Sequence, residues 1–321
     1  MTFAGSPDRV EARLVPELGY EFDAFAVSGL PRRPGPELVR ATAKALAAPF
    51  ACRRILRRRR PDAVLGAGGY VAGPMVLAAR LEGIPCALSE ADAHLGLANR
   101  LAAPLAQRVF LALPLGLHGD KYRPVGRPIP AASRPVDRVE ARARLGLAED
   151  AQVVLVFGGS LGARLLNDLA LDAWAEHGPA VIHLCGERDY PDLRGRASRP
   201  DYVLEPFVAE IGVAYSAADV ALARAGGSIW ELAAAGLPAV LVPGAFATGD
   251  HQEKNARWFA DAGGALVVPE AEAARAPGVV EQLLEEPDRL ARMAAAMRAV
   301  AKPDAAEEIA DELVTLAAAR R

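Results

Sequence analysis

The sequence predicts an α/β protein of two doubly wound, parallel-sheet domains. Hydrophobic strands alternate with helical segments along nearly all of its 321 residues. Two strands run straight into glycine-rich turns, Ala63-Val64-Leu65-Gly66-Ala67-Gly68-Gly69-Tyr70 and Val153-Val154-Leu155-Val156-Phe157-Gly158-Gly159-Ser160-Leu161-Gly162. A proline-rich stretch from Pro124 to Pro135 lies between them. A strand that turns on glycines into a helix leaves backbone N–H groups free at a positive dipole end, which suits a phosphate. Two such turns, one in each half, suggest paired nucleotide-type domains facing a cleft.

The first half reads as strand 22–27, helix 37–58, strand 63–65, helix 74–82, strand 85–89, helix 95–105 and strand 108–111. Pro124–Pro135 reads as the linker. The second half opens with a helix over 136–145. Its strands fall near 153–157, 180–184, 202–205, 220–223, 239–242 and 265–268, and a last helix covers 305–319. The domains expected are 1–127, 128–304 and a C-terminal helix, 305–321, packing back toward the first domain. Leu232–Gly249 carries no charge over 18 positions but holds Gly236, Pro238, Pro243 and Gly244. A helix end, turn, buried strand and loop explain it better than a membrane span.

Net charge is −3, unevenly placed. Residues 1–130 hold 18 Lys/Arg against 11 Asp/Glu, and the remainder 19 against 29. The basic half points to an anionic partner, a membrane surface or a phosphate-bearing substrate. Leu46, Phe50 and Ile55 beside Arg53, Arg54 and Arg57–Arg60 would suit anionic lipid, although helical periodicity favours a core stripe with a solvated arginine face. Cys52, Cys86 and Cys185 are scattered, without disulfide or zinc spacing. No metal-ligand spacing, serine elbow or nucleic-acid signature is present, so no cofactor and no nucleic-acid partner are expected.

Each candidate motif has a plainer reading. Gly158–Gly162 could be a tight turn with Ser160 as N-cap. Arg224-Ala225-Gly226-Gly227-Ser228-Ile229-Trp230-Glu231 has capping-box spacing from Ser228 to Glu231, or places Glu231 to accept from ribose hydroxyls. Gly249-Asp250-His251-Gln252-Glu253-Lys254-Asn255 is a solvated cap or a ligand loop. Ser89-Glu90-Ala91-Asp92-Ala93-His94 supplies helix N-terminal acids or a base for a sugar hydroxyl.

Together with Val27-Ser28-Gly29, Gly66–Pro74, Gly96-Leu97-Ala98-Asn99-Arg100, Gly158–Arg164, Glu231–Pro238 and Asp250-His251-Gln252 with Asn255-Ala256, these segments resemble the MurG family over nearly the whole chain. These are bacterial glycosyltransferases of the GT-B fold, two Rossmann-like domains across a cleft. They add N-acetylglucosamine from UDP-N-acetylglucosamine to undecaprenyl-pyrophosphoryl-MurNAc-pentapeptide in peptidoglycan synthesis. The resemblance implies a donor site of Asp92, Gly159, Ser160, Gly162, Val208, Arg224, Gly227, Ser228, Glu231, His251 and Gln252. Within it Ser160 lies by the diphosphate, Val208 by uracil, Glu231 by ribose and Gln252 by the sugar. It implies an acceptor side of Gly68, Gly69, Tyr70, Glu90 and Asn99, with Glu90 or Asp92 as the catalytic carboxylate, and a peripheral place on the anionic cytoplasmic face of the cell membrane. A UDP-sugar 2-epimerase of the same fold and a non-catalytic UDP-sugar-binding scaffold are the alternatives.

The sequence departs from the family pattern in four places. It begins at the family's second strand, so the GGTGGH loop and about 30 residues are expected upstream, a late start codon being preferred over a degenerate member. The N-terminal sheet is then expected to lack a central strand and to expose its neighbours' edges. The family's His-Glu-Gln-Asn is Ser89-Glu90-Ala91-Asp92. Its Gly-Asn-Pro-Val-Arg is Gly126-Arg127-Pro128-Ile129-Pro130. The Arg224–Glu231 loop is one residue short.

Overall fold

The computed structural model describes residues 1–29, 35–159, 162–244 and 250–320. The chain forms two compact units, Met1–Val125 with the C-terminal residues from Ala306, and Gly126–Ala305.

In the first unit, β1 (Thr2–Gly5), α1 (Glu11–Glu17) and β2 (Glu21–Ala24) form a parallel two-stranded sheet. Next come α2 (Pro36–Arg59), β3 (Val64–Gly66), α3 (Gly69–Leu81), β4 (Cys86–Glu90), α4 (Leu97–Ala102), β5 (Arg108–Leu111) and β6 (Tyr122–Pro124). A second parallel sheet has the order β3-β4-β5-β6. Among the described strands β1 pairs only with β2 and β3 only with β4, so each keeps an open edge. Phe3 and Leu65, on those two strands, are exposed.

Both sheets share one core. Helix α2 buries Ala48, Cys52, Ile55 and Leu56, spaced as one helical face, against Phe25, Val27, Val76 and Leu88. Its other side leaves Leu46 71% and Phe50 68% exposed. Ile55 is therefore core, not part of an outer apolar patch. Most of the basic run is also paired with acids of the first unit. Arg58 and Arg59 pair with Asp23, and Arg53 and Arg57 with Glu82. The Arg59 hydrogen bond, opposed by desolvation, leaves the Asp23 carboxyl below its usual range.

The second unit carries α5 (Arg138–Arg144), β7 (Val153–Phe157), α6 (Arg164–Trp174), β8 (Ala180–Leu184), α7 (Tyr190–Leu193), β9 (Tyr202–Glu205), α8 (Ile211–Ala217), β10 (Val220–Ala223), α9 (Ile229–Ala235), β11 (Ala239–Leu241), α10 (His251–Asp261), β12 (Ala265–Val267), α11 (Ala276–Leu284) and α12 (Pro287–Val300). Its parallel sheet has the order β12-β11-β10-β7-β8-β9. Strand β7 is buried at all five positions, as an unbroken apolar run requires of a central parallel strand. The last helix, α13 (Ala305–Ala318), sets Ile309, Leu313 and Leu316 against Ala87, Phe110 and Val125 of the first unit's core.

The stretch expected as a linker is not free chain. Pro124 ends β6, and Ala131–Ser133 is a 3₁₀ turn with Ser133 buried. A proline-rich composition marks a break between units but says nothing of how tightly each side packs. The three cysteines are buried. Burial pushes the Cys52 thiol up to about 12 and Cys185 up to about 11, so neither is a thiolate at neutral pH.

A polar chain crosses the second core beneath the β7–α6 turn. Asn167 Nδ2 donates to the Cys185 carbonyl and to Asp189 Oδ2, both at 2.9 Å. Its Oδ1 lies 3.0 Å from His183 Nε2, so that nitrogen carries the proton, and His183 Nδ1 accepts from the Tyr202 hydroxyl at 2.9 Å. Burial lowers the His183 pKa to about 3.

The folded state thus keeps His183 neutral while the unfolded chain takes up a proton below about pH 6.5. This contribution is complete above that value and is lost as pH falls toward 3, by about 1.4 kcal/mol per unit. Urea unfolding followed by tryptophan fluorescence reports the second unit, which holds Trp174, Trp230 and Trp258. His183→Gln should be less stable at pH 7 yet lose less stability than wild type between pH 6.5 and 4.5. Parallel pH profiles would contradict this.

Candidate functional site

The second unit's strand order reverses between β7 and β10, which pair in parallel although β8 and β9 intervene in sequence. The two loops that leave the carboxyl ends of these strands therefore flank a switch point.

After β7, Gly158 and Gly159 lead into the turn, and Gly162 precedes α6. Ser160 lies outside the described residues. Gly159 has φ +92 and Gly162 φ +74, a region that favours glycine. A Cβ on Gly162 would stand 2.1 Å from the Cys185 carbonyl oxygen, and one on Gly158 2.2 Å from Ala163 Cβ. Gly162 therefore lies close against the end of β8, where Asn167 holds that carbonyl. Among the described residues no side chain caps α6, which leaves its first-turn amides to an anion.

After β10, Gly226, Gly227 and Ser228 form a tight turn into α9, with Ile229, Trp230 and Glu231 N–H donating three residues back. The capping box does not form: Ser228 makes no side-chain cap. Glu231 Oε2 instead accepts from Ser133 Oγ at 2.7 Å and from the Tyr215 hydroxyl at 2.9 Å. Arg224 donates from Nη1 to the Val242 carbonyl at 3.0 Å and to Glu270 at 2.9 Å, which ties β10 to β11. The Arg127 guanidinium lies across Gly227, its Nη1 2.2 Å from where a Cβ would stand, and no described residue pairs with it.

After β11, Asp250 starts α10 in the left-handed region, with His251 as the first helical residue. Gln252 Oε1 accepts from Gly244 N–H at 2.8 Å, so its Nε2 is turned away without a partner among the described residues. Val208, between β9 and α8, is half-buried beside an exposed Phe207. Of the expected donor residues in this unit, Gly159, Gly162, Gly227, Ser228, Glu231, His251 and Gln252 thus fall in loops or first helical turns at the carboxyl ends of β7, β10 and β11.

In the first unit, Gly68 (φ +95) and Gly69 (φ +68) open α3, five residues before the proline that marks its start in sequence. No side chain caps it, and Tyr70 OH accepts from Arg9 Nε at 3.0 Å. Gly68 backs onto the end of β4, where a Cβ would stand 3.5 Å from the Ser89 carbonyl and 3.8 Å from Asn99 Nδ2. Glu90 is buried; its Oε2 accepts from Gly96 N–H at 2.8 Å and Asn99 Nδ2 at 3.0 Å, and its Oε1 from Asp92 N–H at 3.3 Å. Its carboxylate shapes the 91–96 loop. Asp92, on that loop, is the more accessible of the two. Among the described residues no His, Cys, Asp and Glu cluster could hold a metal ion.

Sequence reasoning missed Ser133, Tyr215, Asn167 and His183. Only the fold brings the first two to Glu231 and the second two under the glycine turn.

The glycine turn carries a direct test. Gly162→Ala must displace the β8 end as well as hold a strained φ, and should cost about 3 kcal/mol. Gly159→Ala, with no atom within 4 Å of its Cβ, meets only the backbone term, about 1 kcal/mol. Denaturant midpoints of the two variants check the order, and equal losses would contradict it.

Residues 2–111 match the model of the glycosyltransferase family 28 N-terminal domain, and residues 153–309 that of its C-terminal domain. A Salinibacter ruber protein named UDP-N-acetylglucosamine–N-acetylmuramyl-(pentapeptide) pyrophosphoryl-undecaprenol N-acetylglucosamine transferase is 40% identical, over 99% of this chain and 88% of that one. The crystal structure of Acinetobacter baumannii MurG aligns with a TM-score of 0.77 at 30% identity, covering 98% of this chain and 90% of that one. A Listeria monocytogenes structure described as a UDP-N-acetylglucosamine 2-epimerase aligns at 0.62 with 13% identity over 96% of this chain and 94% of its own, a likeness of fold alone. With both domain models matched and 40% identity sustained from end to end, the chain belongs to the MurG family of glycosyltransferases.

Proposed function

We propose that the protein transfers N-acetylglucosamine from UDP-N-acetylglucosamine to undecaprenyl-pyrophosphoryl-MurNAc-pentapeptide. The observation that carries this is the end-to-end identity with transferases of that name. The switch-point loops support it chemically. The uncapped amides of α6 and the Gly158–Gly162 turn would take the diphosphate, with Ser160 adding its hydroxyl. Glu231 would accept from the ribose, Val208 would lie by the uracil, and Nε2 of Gln252 would donate to the sugar.

In the transfer, an acceptor hydroxyl oxygen forms a bond to the anomeric carbon as that carbon's bond to the diphosphate oxygen breaks. The configuration inverts, and the hydroxyl proton passes to a base. Charge developing on the departing UDP falls to the α6 dipole and the turn amides. On the acceptor side, Gly68, Gly69 and Tyr70 open a second uncapped helix toward the acceptor's own diphosphate. Asp92, half-buried on its loop, is the carboxylate suited to the proton, and Glu90 with Asn99 holds that loop. Arg127, unpaired against Gly227, is available to the donor.

The acceptor's polyprenyl tail requires a bilayer. No helix among the described residues is long and apolar enough to cross one. We place the first unit on the anionic cytoplasmic face through Leu46 and Phe50, one helical turn apart on α2 and open to solvent.

Two outcomes follow. Radiolabelled UDP-N-acetylglucosamine with lipid acceptor, assayed on the chain and on a version extended by the upstream reading frame, should give glycosylated lipid. Free sugar released without acceptor, or binding without turnover, would contradict the proposal. Leu46→Ser with Phe50→Ser should lower co-sedimentation with phosphatidylglycerol vesicles about tenfold while UDP affinity stays unchanged. Undiminished sedimentation would remove this docking face.

A further inference from the structure

The Glu231 carboxylate is held unevenly. The Ser133 and Tyr215 hydroxyls both converge on Oε2, while Oε1 has no partner among the described residues. Ser133 comes from the 3₁₀ turn that opens the second unit, Tyr215 from α8, and Glu231 from the first turn of α9. Ser133 is 3% and Tyr215 2% exposed, whereas Glu231 is only half-buried. The carboxylate thus has a dry side and a wet side.

A glutamate's terminal torsion is broad and two-fold, so an unbraced carboxylate samples many planes. Two donors from separate elements remove that freedom. Burial, reinforced by the Glu231 charge, pushes the Tyr215 phenol above its usual value and keeps it a donor. The Tyr215 ring also lies 6.0 Å from that of Phe157, the last residue of β7, so one tyrosine touches both switch-point loops.

We propose that Ser133 and Tyr215 are positioning residues that saturate Oε2 of Glu231 and aim Oε1 at the ribose hydroxyls of a uridine nucleotide. The diol is then met by one oxygen of the carboxylate rather than forked across both. This rests on the ribose reading of Glu231. A purely structural tie between the helices would hold the same bonds but would be indifferent to whether a ligand carries ribose hydroxyls.

The test uses the full chain, UDP and 2′,3′-dideoxy-UDP, with affinities from titration calorimetry. Tyr215→Phe keeps the ring and its packing, and Ser133→Ala removes one oxygen. Each should weaken UDP about 3- to 10-fold, the loss of one charge-assisted hydrogen bond acting through the carboxylate, and leave dideoxy-UDP within about twofold. In transfer assays KM for the donor should rise while kcat holds. Glu231→Gln should abolish the preference for UDP over its dideoxy analogue.

If Glu231→Gln abolishes that preference but Tyr215→Phe, Ser133→Ala and their double variant keep it, the positioning role is overturned and the ribose role stands. Equal weakening toward both ligands also overturns it. If Glu231→Gln keeps the preference, or wild type shows none, the ribose reading falls and this proposal with it.

Discussion

The second unit depends on one close approach, the backbone of Gly162 against the carbonyl of Cys185. No Cβ fits there, since it would stand 2.1 Å from the oxygen. The contact sets Gly162 on the end of β8, and among the described residues no side chain caps the α6 start that follows. An uncapped helix start is costly unless a ligand or water takes the amides. The Asn167 side chain, held in turn by His183 and Asp189, fixes the carbonyl on which the turn rests. A buried polar chain far from any substrate atom thereby sets where the free amides point.

The same arrangement recurs at the neighbouring loop. Glu231 stands at the start of α9 with one oxygen held from below and the other open. Its holders come from elements 98 and 16 residues away. Both strand ends are shaped by contacts on their buried side. The first unit follows a similar rule. Glu90 and Asn99 are drawn inward to build a loop, on which Asp92 is less buried than Glu90.

Much of the fold is legible in the sequence because buried parallel strands are unbroken apolar runs punctuated by glycine or proline. Val153–Phe157, Ala180–Leu184, Tyr202–Glu205 and Val220–Ala223 are strands with the expected bounds. Where side chains are not buried, the pattern fades. Helix α1 buries no residue and contains Pro16, and β6 is three residues long with Pro124 at its end. Pro74 reads as the first residue of a helix, yet α3 starts at Gly69, because glycines with positive φ set the entry and the proline sits within the second turn. In the site, motif spacing finds the glycine turns and Glu231. It does not decide between capping and ligand roles, since Ser228 and Glu231 have the spacing of a box they do not form. Arg224 reads as a ligand residue by sequence, and its bonds to the Val242 carbonyl and Glu270 emerge only when β10, β11 and β12 are side by side.

Amides at the start of α6 are proposed to grip a uridine diphosphate. Hydrogen–deuterium exchange of the intact protein with and without UDP measures this at the residues concerned. Slowed exchange over residues 158–167, with uridine alone giving no such slowing there, is the predicted result. UDP bound at saturation with exchange in that segment unchanged would contradict the account.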